Sequence, residues 1–158
     1  MEPIVQLNSN AKLSEHFKLG EFTKSNHPEV YNIPSHEAIA NLKRLCGWLE
    51  VLRKRYNEKY GVGEEPIRIN SGYRSAQLNK KVGGVAGSNH LTGSAVDIRV
   101  LGAEQLIRYA TILLDYADES KLDFDELLIE KNRYGAIWLH FAVRPFSNRR
   151  KVNFLGPK

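Results

Sequence analysis

The sequence predicts an α+β fold, a small antiparallel sheet flanked by helices, and three observations carry that expectation. Two segments, Ser35 to Tyr56 and Ala103 to about Ala117, repeat apolar residues at steps of three and four, the stripe of an amphipathic helix. Two apolar runs near the carboxyl end, FDELLIE and AIWLHFAVR, are joined by the polar turn KNRYG and read as a hairpin. Helices first, then strands with hairpin connections, place an antiparallel sheet against helices.

The elements follow in order. Ile39, Leu42, Leu45, Leu49, Leu52 and Tyr56 form the stripe of the first long helix, and Ser35, just after Pro34, is its expected N-cap. Beyond the turn residues Gly61 to Pro66, IRIN is a short strand and SGYRS leads into a brief helix, SAQLNKKV. Gly83, Gly84 and Gly87 make a loop that delivers His90, and AVDIRV alternates as a strand. Leu106, Ile107, Ala110, Leu113 and Leu114 share one face of the second long helix. The last stretch, RPFSNRRKVNFLGPK, reads as a solvated basic tail. No repeat or low-complexity linker divides the chain, so residues 1–158 are expected to form a single domain. A chain of this length buries roughly 68–70% of its unfolded surface, enough for one core.

Composition narrows the chemistry. Cys46 is the one cysteine, so no disulfide forms within the chain, and any metal site must use histidine and carboxylate ligands. Leu42, Leu45 and Leu49 surround Cys46 at helical spacing and make it a packing residue. Lys and Arg number 23 against 18 Asp and Glu, a net charge of +5 that favours polyanions such as nucleic acid, anionic lipid or an anionic cell wall. No helix-turn-helix, zinc-finger or RNA-binding signature accompanies that charge, so nucleic acid is not the expected partner. The amino terminus lacks a cationic start followed by an apolar run, and no stretch of about 18 apolar residues occurs. Synthesis in the cytoplasm without a signal peptide, and no membrane partner, are the expectations.

The stretch SNHLTGSAVDIRV concentrates the remaining signal. Strand alternation puts Val96, Ile98 and Val100 on one face and Ala95, Asp97 and Arg99 on the other, so Asp97 points away from the core. The same count along the later strand sends Ile137, Leu139, Phe141 and Val143 inward and Trp138, His140, Ala142 and Arg144 outward. If both strands lie in one sheet, with Gly93 turning the chain, then His90, Asp97 and His140 can meet at one point. Taken singly, a histidine is most often a surface residue and a strand aspartate an ion-pair partner. Together, two imidazoles and a carboxylate with a fourth position left for water are the pattern of catalytic zinc, which lowers the pKa of its bound water to about 7.

SGYRS, SNHLTGSAVD and WLHFAV, in that order, resemble the zinc D-Ala-D-Ala metallopeptidases, a group with lysostaphin-type and hedgehog-like relatives. The three motifs span about half of the chain, and LSEHFKLGEFTKS is also similar to phage-type and bacterial members. The resemblance implies a hedgehog/DD-peptidase-like fold and one Zn²⁺ held by His90, Asp97 and His140. It also implies a substrate-holding role for Arg74 and a hydroxyl donor in Ser88. An arginine fork suits a carboxylate or peptide carbonyl.

In the D-Ala-D-Ala branch an acid three positions before the last histidine is the general base; Ile137 stands there and cannot take a proton. The hedgehog-like layout instead points to Glu130, at the end of FDELLIE, with Asp125 and Glu126 in reserve. Trp138 occupies the place of a second histidine in some members and is expected to wall the cleft on the substrate side. The expected function is zinc-dependent hydrolysis of peptidoglycan stem or cross-link peptides by a monomer. Such an enzyme is carboxypeptidase- or endopeptidase-like, possesses the character of a phage-type endolysin, and acts on the cell wall after release. The alternative is a non-catalytic zinc-containing wall- or peptide-binding module of hedgehog-like type.

Overall fold

In the computed structural model, which describes residues 8–157, the first helix, α1 (Leu19–Thr23), is short. The long helix α2 (His36–Tyr60) begins where the Ser35 hydroxyl accepts the Ala38 backbone N–H, as the sequence predicts. Strand β1 (Ile69–Ser71) is followed by α3 (Ala76–Lys81), a 3-10 turn at Asn89–Thr92, and strand β2 (Ala95–Arg99). Helix α4 (Ala103–Ser120), strands β3 (Glu126–Lys131) and β4 (Ile137–Ala142), and a last strand β5 (Lys151–Pro157) complete the order. The expectation of a leaderless amino terminus falls in part on residues 1–7, outside those described. Among the described residues no helix is long and apolar enough to cross a membrane.

The architecture is α+β, with a five-stranded sheet in the order β1-β2-β4-β3-β5. The first four strands pair antiparallel, and the hairpin expected from FDELLIE and AIWLHFAVR is β3–β4. One face of the sheet carries Val96, Ile98, Leu127, Leu139 and Phe141 into a core shared with the stripes of α2 and α4, although Ile107, expected on the α4 stripe, is exposed because it lies off the buried line of Leu106, Tyr109 and Leu113. Trp48 of α2 keys these layers together, its ring centroid 5.3 Å from Phe141 and 5.0 Å from Tyr116. Burying such side chains contributes roughly 1.5–3 kcal/mol each, and it is what fixes which face of each strand looks away from the helices.

The carboxyl-terminal stretch departs from the expectation of a solvated tail. Residues 151–157 form β5, which pairs parallel with β3 and so adds one parallel edge to an otherwise antiparallel sheet. Val152 and Phe154 are exposed, so the strand has no buried face of its own to mark it in the sequence. It is held by ladder bonds, by Lys151 N–H to the Asp125 carbonyl, and by side-chain pairs to Asp125 from Arg149.

Gly93 joins the 3-10 turn to β2 at φ +74, in the left-handed region, with its α-carbon against α2. A Cβ there would lie 2.5 Å from the Ala38 carbonyl oxygen. Gly93→Ala therefore adds backbone strain to a clash with helix backbone and is expected to destabilise the protein by about 1–3 kcal/mol. Thermal or denaturant unfolding measures this, and unchanged stability would refute the assignment of Gly93 as a required turn.

Candidate metal centre

Register does most of the work of assembling the site. On β2 and β4, Asp97 and His140 are direct cross-strand partners, so both project from the face opposite the core. The 3-10 turn brings His90 over the same point. The three side chains offer ligand atoms that all lie within 4.8 Å of one another, and all three residues are buried. His140 Nδ1 lies 3.0 Å and His90 Nε2 3.3 Å from Asp97 Oδ1. Zinc bonded to nitrogen and oxygen at 2.0–2.1 Å in tetrahedral geometry has ligand-to-ligand edges of about 3.3 Å, so these separations fit one ion.

The orientation of His90 supports the same fit. Its Nδ1 lies 2.6 Å from the Gly72 carbonyl, which takes the Nδ1 proton and leaves Nε2 as a lone pair. That Nε2 is buried and has no hydrogen-bond partner. A buried polar atom left this way costs roughly 1–3 kcal/mol unless something binds it, and a cation at the ligand point is the partner its lone pair suits. The SGYRS motif supplies the support: a Cβ on Gly72 would come within 2.8 Å of Phe22 backbone, and the Arg74 N–H bonds the His90 carbonyl at 3.0 Å.

An open cleft of about 560 Å³ surrounds the cluster. Arg74 lines it, with Nη2 3.4 Å from Asp97 Oδ2 and Nε donating to Ser71. Ser88 lines it too, its hydroxyl accepting the His90 N–H. From β3, the alternating Glu126, Leu128 and Glu130 face the cleft, and from β5 Lys151 and Leu155 form the far wall. Glu130 is buried, with Oε1 3.8 Å from His140 Nδ1, and it accepts the Trp138 indole N–H at 2.8 Å. Trp138 itself stands beside the cleft rather than lining it. Ile137 packs against the core, the face opposite His140. In this sheet, position 137 does not present its side chain to the cleft at all, and β3 does.

Of the two reserve acids, Asp125 is fully buried under a bidentate Arg149, with Asn89 and Arg144 also bonded to it, and does not line the cleft. Glu126 lies 3.1 Å from His140 Nε2 and accepts from Asn89 at 2.7 Å. Asn89, Arg149 and Lys151 escaped the sequence reading, which placed Arg144 on the outward face beside His140 without giving it a role. Asn89 is adjacent to a motif histidine and was discoverable by its place; Arg149 and Lys151 sit in a stretch with no periodicity, where only tertiary contact reveals them.

Burial pulls the His140 imidazole down, but hydrogen bonds to Asp97 and Glu126 and the charges of Asp97 and Glu130 outweigh it, leaving a pKa raised from 6.5 to about 9. Burial likewise pushes the Asp97 carboxyl up, yet the neighbouring imidazoles of His90 and His140 hold it well below the usual carboxylate range. Burial raises Glu126 as well, and it is outweighed by the bond from His140, that residue's charge and the bond from Asn89, which lower it.

Parts of the chain are similar to known proteins. The model of the family Peptidase M15 matches residues 15–115, which include Arg74, Ser88, His90 and Asp97 and end before β3. A zinc D-Ala-D-Ala carboxypeptidase from Streptomyces albus G is 40% identical over 40 residues, a quarter of this chain and 16% of that protein's length.

A metal ligand must be a neutral imidazole, whereas His140 with a pKa of about 9 carries both ring protons at pH 7. Zinc uptake at pH 7 is therefore expected to release about one proton, falling toward none as pH rises through 9. Calorimetric titration in buffers of different ionisation enthalpy reads this directly, and proton-neutral uptake at pH 7 would refute a doubly protonated His140 ring in the metal-free site.

Proposed function

The chain belongs to the Peptidase M15 family, and on that premise we propose that it is a zinc-dependent peptidase. In this reading it is a single, monomeric metallopeptidase domain that hydrolyses stem or cross-link peptides of peptidoglycan, as a D-alanyl-D-alanine carboxypeptidase or endopeptidase does. A phage-type lysin acting on the cell wall after release is the setting we propose for it. The observation that carries the reading is the buried, unpartnered His90 Nε2 aimed at the point shared with Asp97 and His140, on the floor of an open cleft.

His90 Nε2, Asp97 Oδ1 and His140 Nδ1 would hold the ion. When bound, zinc supplies a Lewis acid for the scissile carbonyl and lowers the pKa of attacking water. The chain's own residues do the rest. Glu130, oriented by the Trp138 indole, takes the proton of the attacking water on its carboxylate and hands it to the leaving amine. Arg74 is held by Asp97 at Nη2, Ser71 at Nε and Asn79 at Nη1, and the second N–H on each terminal nitrogen is left for a peptide carbonyl or carboxylate. Ser88 contributes a hydroxyl at the mouth. Leu128 and Leu155 offer apolar wall suited to alanine methyl groups, and the Lys151 ammonium favours a peptide bearing a free carboxylate.

Digestion of purified peptidoglycan, with mass spectrometry of the products, tests the function. Soluble peptide products that disappear with a chelator and return with zinc are expected. Stoichiometric zinc and peptide binding without any product would turn the reading into a binding module.

Two variants test the roles. Glu130→Gln keeps the shape and the indole contact while removing the titrating group, so it should retain zinc and lose roughly 10²- to 10⁴-fold in turnover. Parental turnover in that variant would pass the role to another acid. Arg74→Ala removes a charge-assisted contact and is expected to lower kcat/KM by about 10- to 150-fold with zinc content unchanged; an unaltered ratio would take Arg74 out of substrate binding.

A further inference from the structure

His90 and His140 face the same point, yet their rings are held by different devices. The Nδ1 proton of His90 goes to a backbone carbonyl, that of Gly72. For His140 the corresponding partner is a side chain: Glu126 Oε1 lies 3.1 Å from Nε2, on the side of the ring away from Asp97. Glu126 stands on β3 two residues from Leu128, the residue paired with His140, which is the diagonal neighbour position on an antiparallel pair.

Glu126 is itself held from two directions. Asn89, the residue before His90, donates through Nδ2 to Glu126 Oε1 at 2.7 Å and to Asp125 Oδ2 at 2.7 Å. Arg149 Nη2 lies 3.6 Å from Glu126 Oε2 while its guanidinium grips Asp125 at 2.8–3.0 Å. Arg144 closes the ring by donating Nε to Asn89 Oδ1 at 2.9 Å. No buried side-chain nitrogen or oxygen of these residues lacks a hydrogen-bond partner, and the hub residues Asn89 and Asp125 are buried.

We infer that Glu126 is a positioning residue for the metal centre, accepting the Nε2 proton of His140 so that Nδ1 is the lone pair turned toward Asp97 and His90. Asn89 then couples the two histidines, since it belongs to the turn of one and fixes the carboxylate that orients the other. The arginines of the segment after β4, which the sequence alone reads as part of a solvated basic tail, serve as the outer anchor of this carboxylate. A carboxylate on the far nitrogen of a ligating imidazole sets its tautomer and ring angle and raises its basicity, and removing such a group typically costs 10- to 100-fold in metal affinity.

The inference rests on the metal-site reading above, and the experiment separates the two. Zinc affinity is measured by competition with a chromophoric chelator for the parent, Glu126→Leu and Glu126→Gln, and the zinc-loaded proteins are examined by ¹⁵N-edited NMR of the histidine rings. Glu126→Gln preserves an acceptor at Oε1 and is expected to stay within about threefold of the parent, with the His140 ring in the Nε2–H form. Glu126→Leu is expected to bind zinc about 10- to 100-fold more weakly and to lose that single ring signature. Should Glu126→Leu fail to fold, Asn89→Ala, which frees Glu126 on one side, is expected to show a smaller loss of zinc affinity in the same direction. Parental affinity and ring signature in Glu126→Leu, or in Asn89→Ala where that is the variant that folds, would overturn the inference while leaving the metal site standing. A parent that holds no zinc would overturn the metal site and the inference with it.

Discussion

Asp97 is a carboxylate taken almost entirely out of water, and a buried charge is tolerated only when it is paired and hydrogen-bonded. Its Oδ1 sits between the imidazoles of His90 and His140, and its Oδ2 faces the Arg74 guanidinium. Each partner arrives from a different part of the fold: a 3-10 turn, the neighbouring strand, and the loop after β1. Satisfying this one group therefore ties three segments to the centre of the sheet. The burial that makes Asp97 expensive to leave alone also makes it a strong partner for a cation.

The histidines are held with comparable care. A ligating imidazole has two nitrogens, and the one turned away from the metal decides which lone pair is free. Gly72 performs that service for His90 through its carbonyl, at a position where an added Cβ would clash with Phe22. On the other side of the site, the carboxylates of β3 divide the labour by position. Glu126 meets the outer edge of the His140 ring, and Glu130, two turns of the pleat further along, shares the inner edge and is held by Trp138. Strand alternation puts both on the cleft face and Leu127 and Ile129 on the core side.

Much of this was legible before any coordinates. The helical stripes of α2 and α4, the Ser35 cap and the β3–β4 hairpin follow from local periodicity and turn chemistry, which short-range physics controls. Alternation also placed Asp97 and His140 on the non-core face. It could not show that this face is itself covered around the site: both residues are buried, with His90, Arg74 and the β3 acids Glu126 and Glu130 packed about them. Strand β5 was missed because Val152 and Phe154 remain exposed, so no hydrophobic pattern distinguishes it from a solvated tail.

By itself, then, the sequence determined the elements, the face each strand turns to the helices, and the three residue types able to hold a divalent ion, since each depends on neighbours within a few residues. Tertiary structure decided the rest. The pairing of Asp97 with His140 is a matter of register between strands 43 residues apart. The choice of acid at the cleft is likewise decided by which strand lies beside β4, so that Glu130 faces His140 while Ile137 turns into the core. The anchoring of Glu126 by Asn89 and Arg149 joins three distant segments. No local pattern encodes such contacts, because they are selected by burial and charge compensation only after the chain has closed on itself.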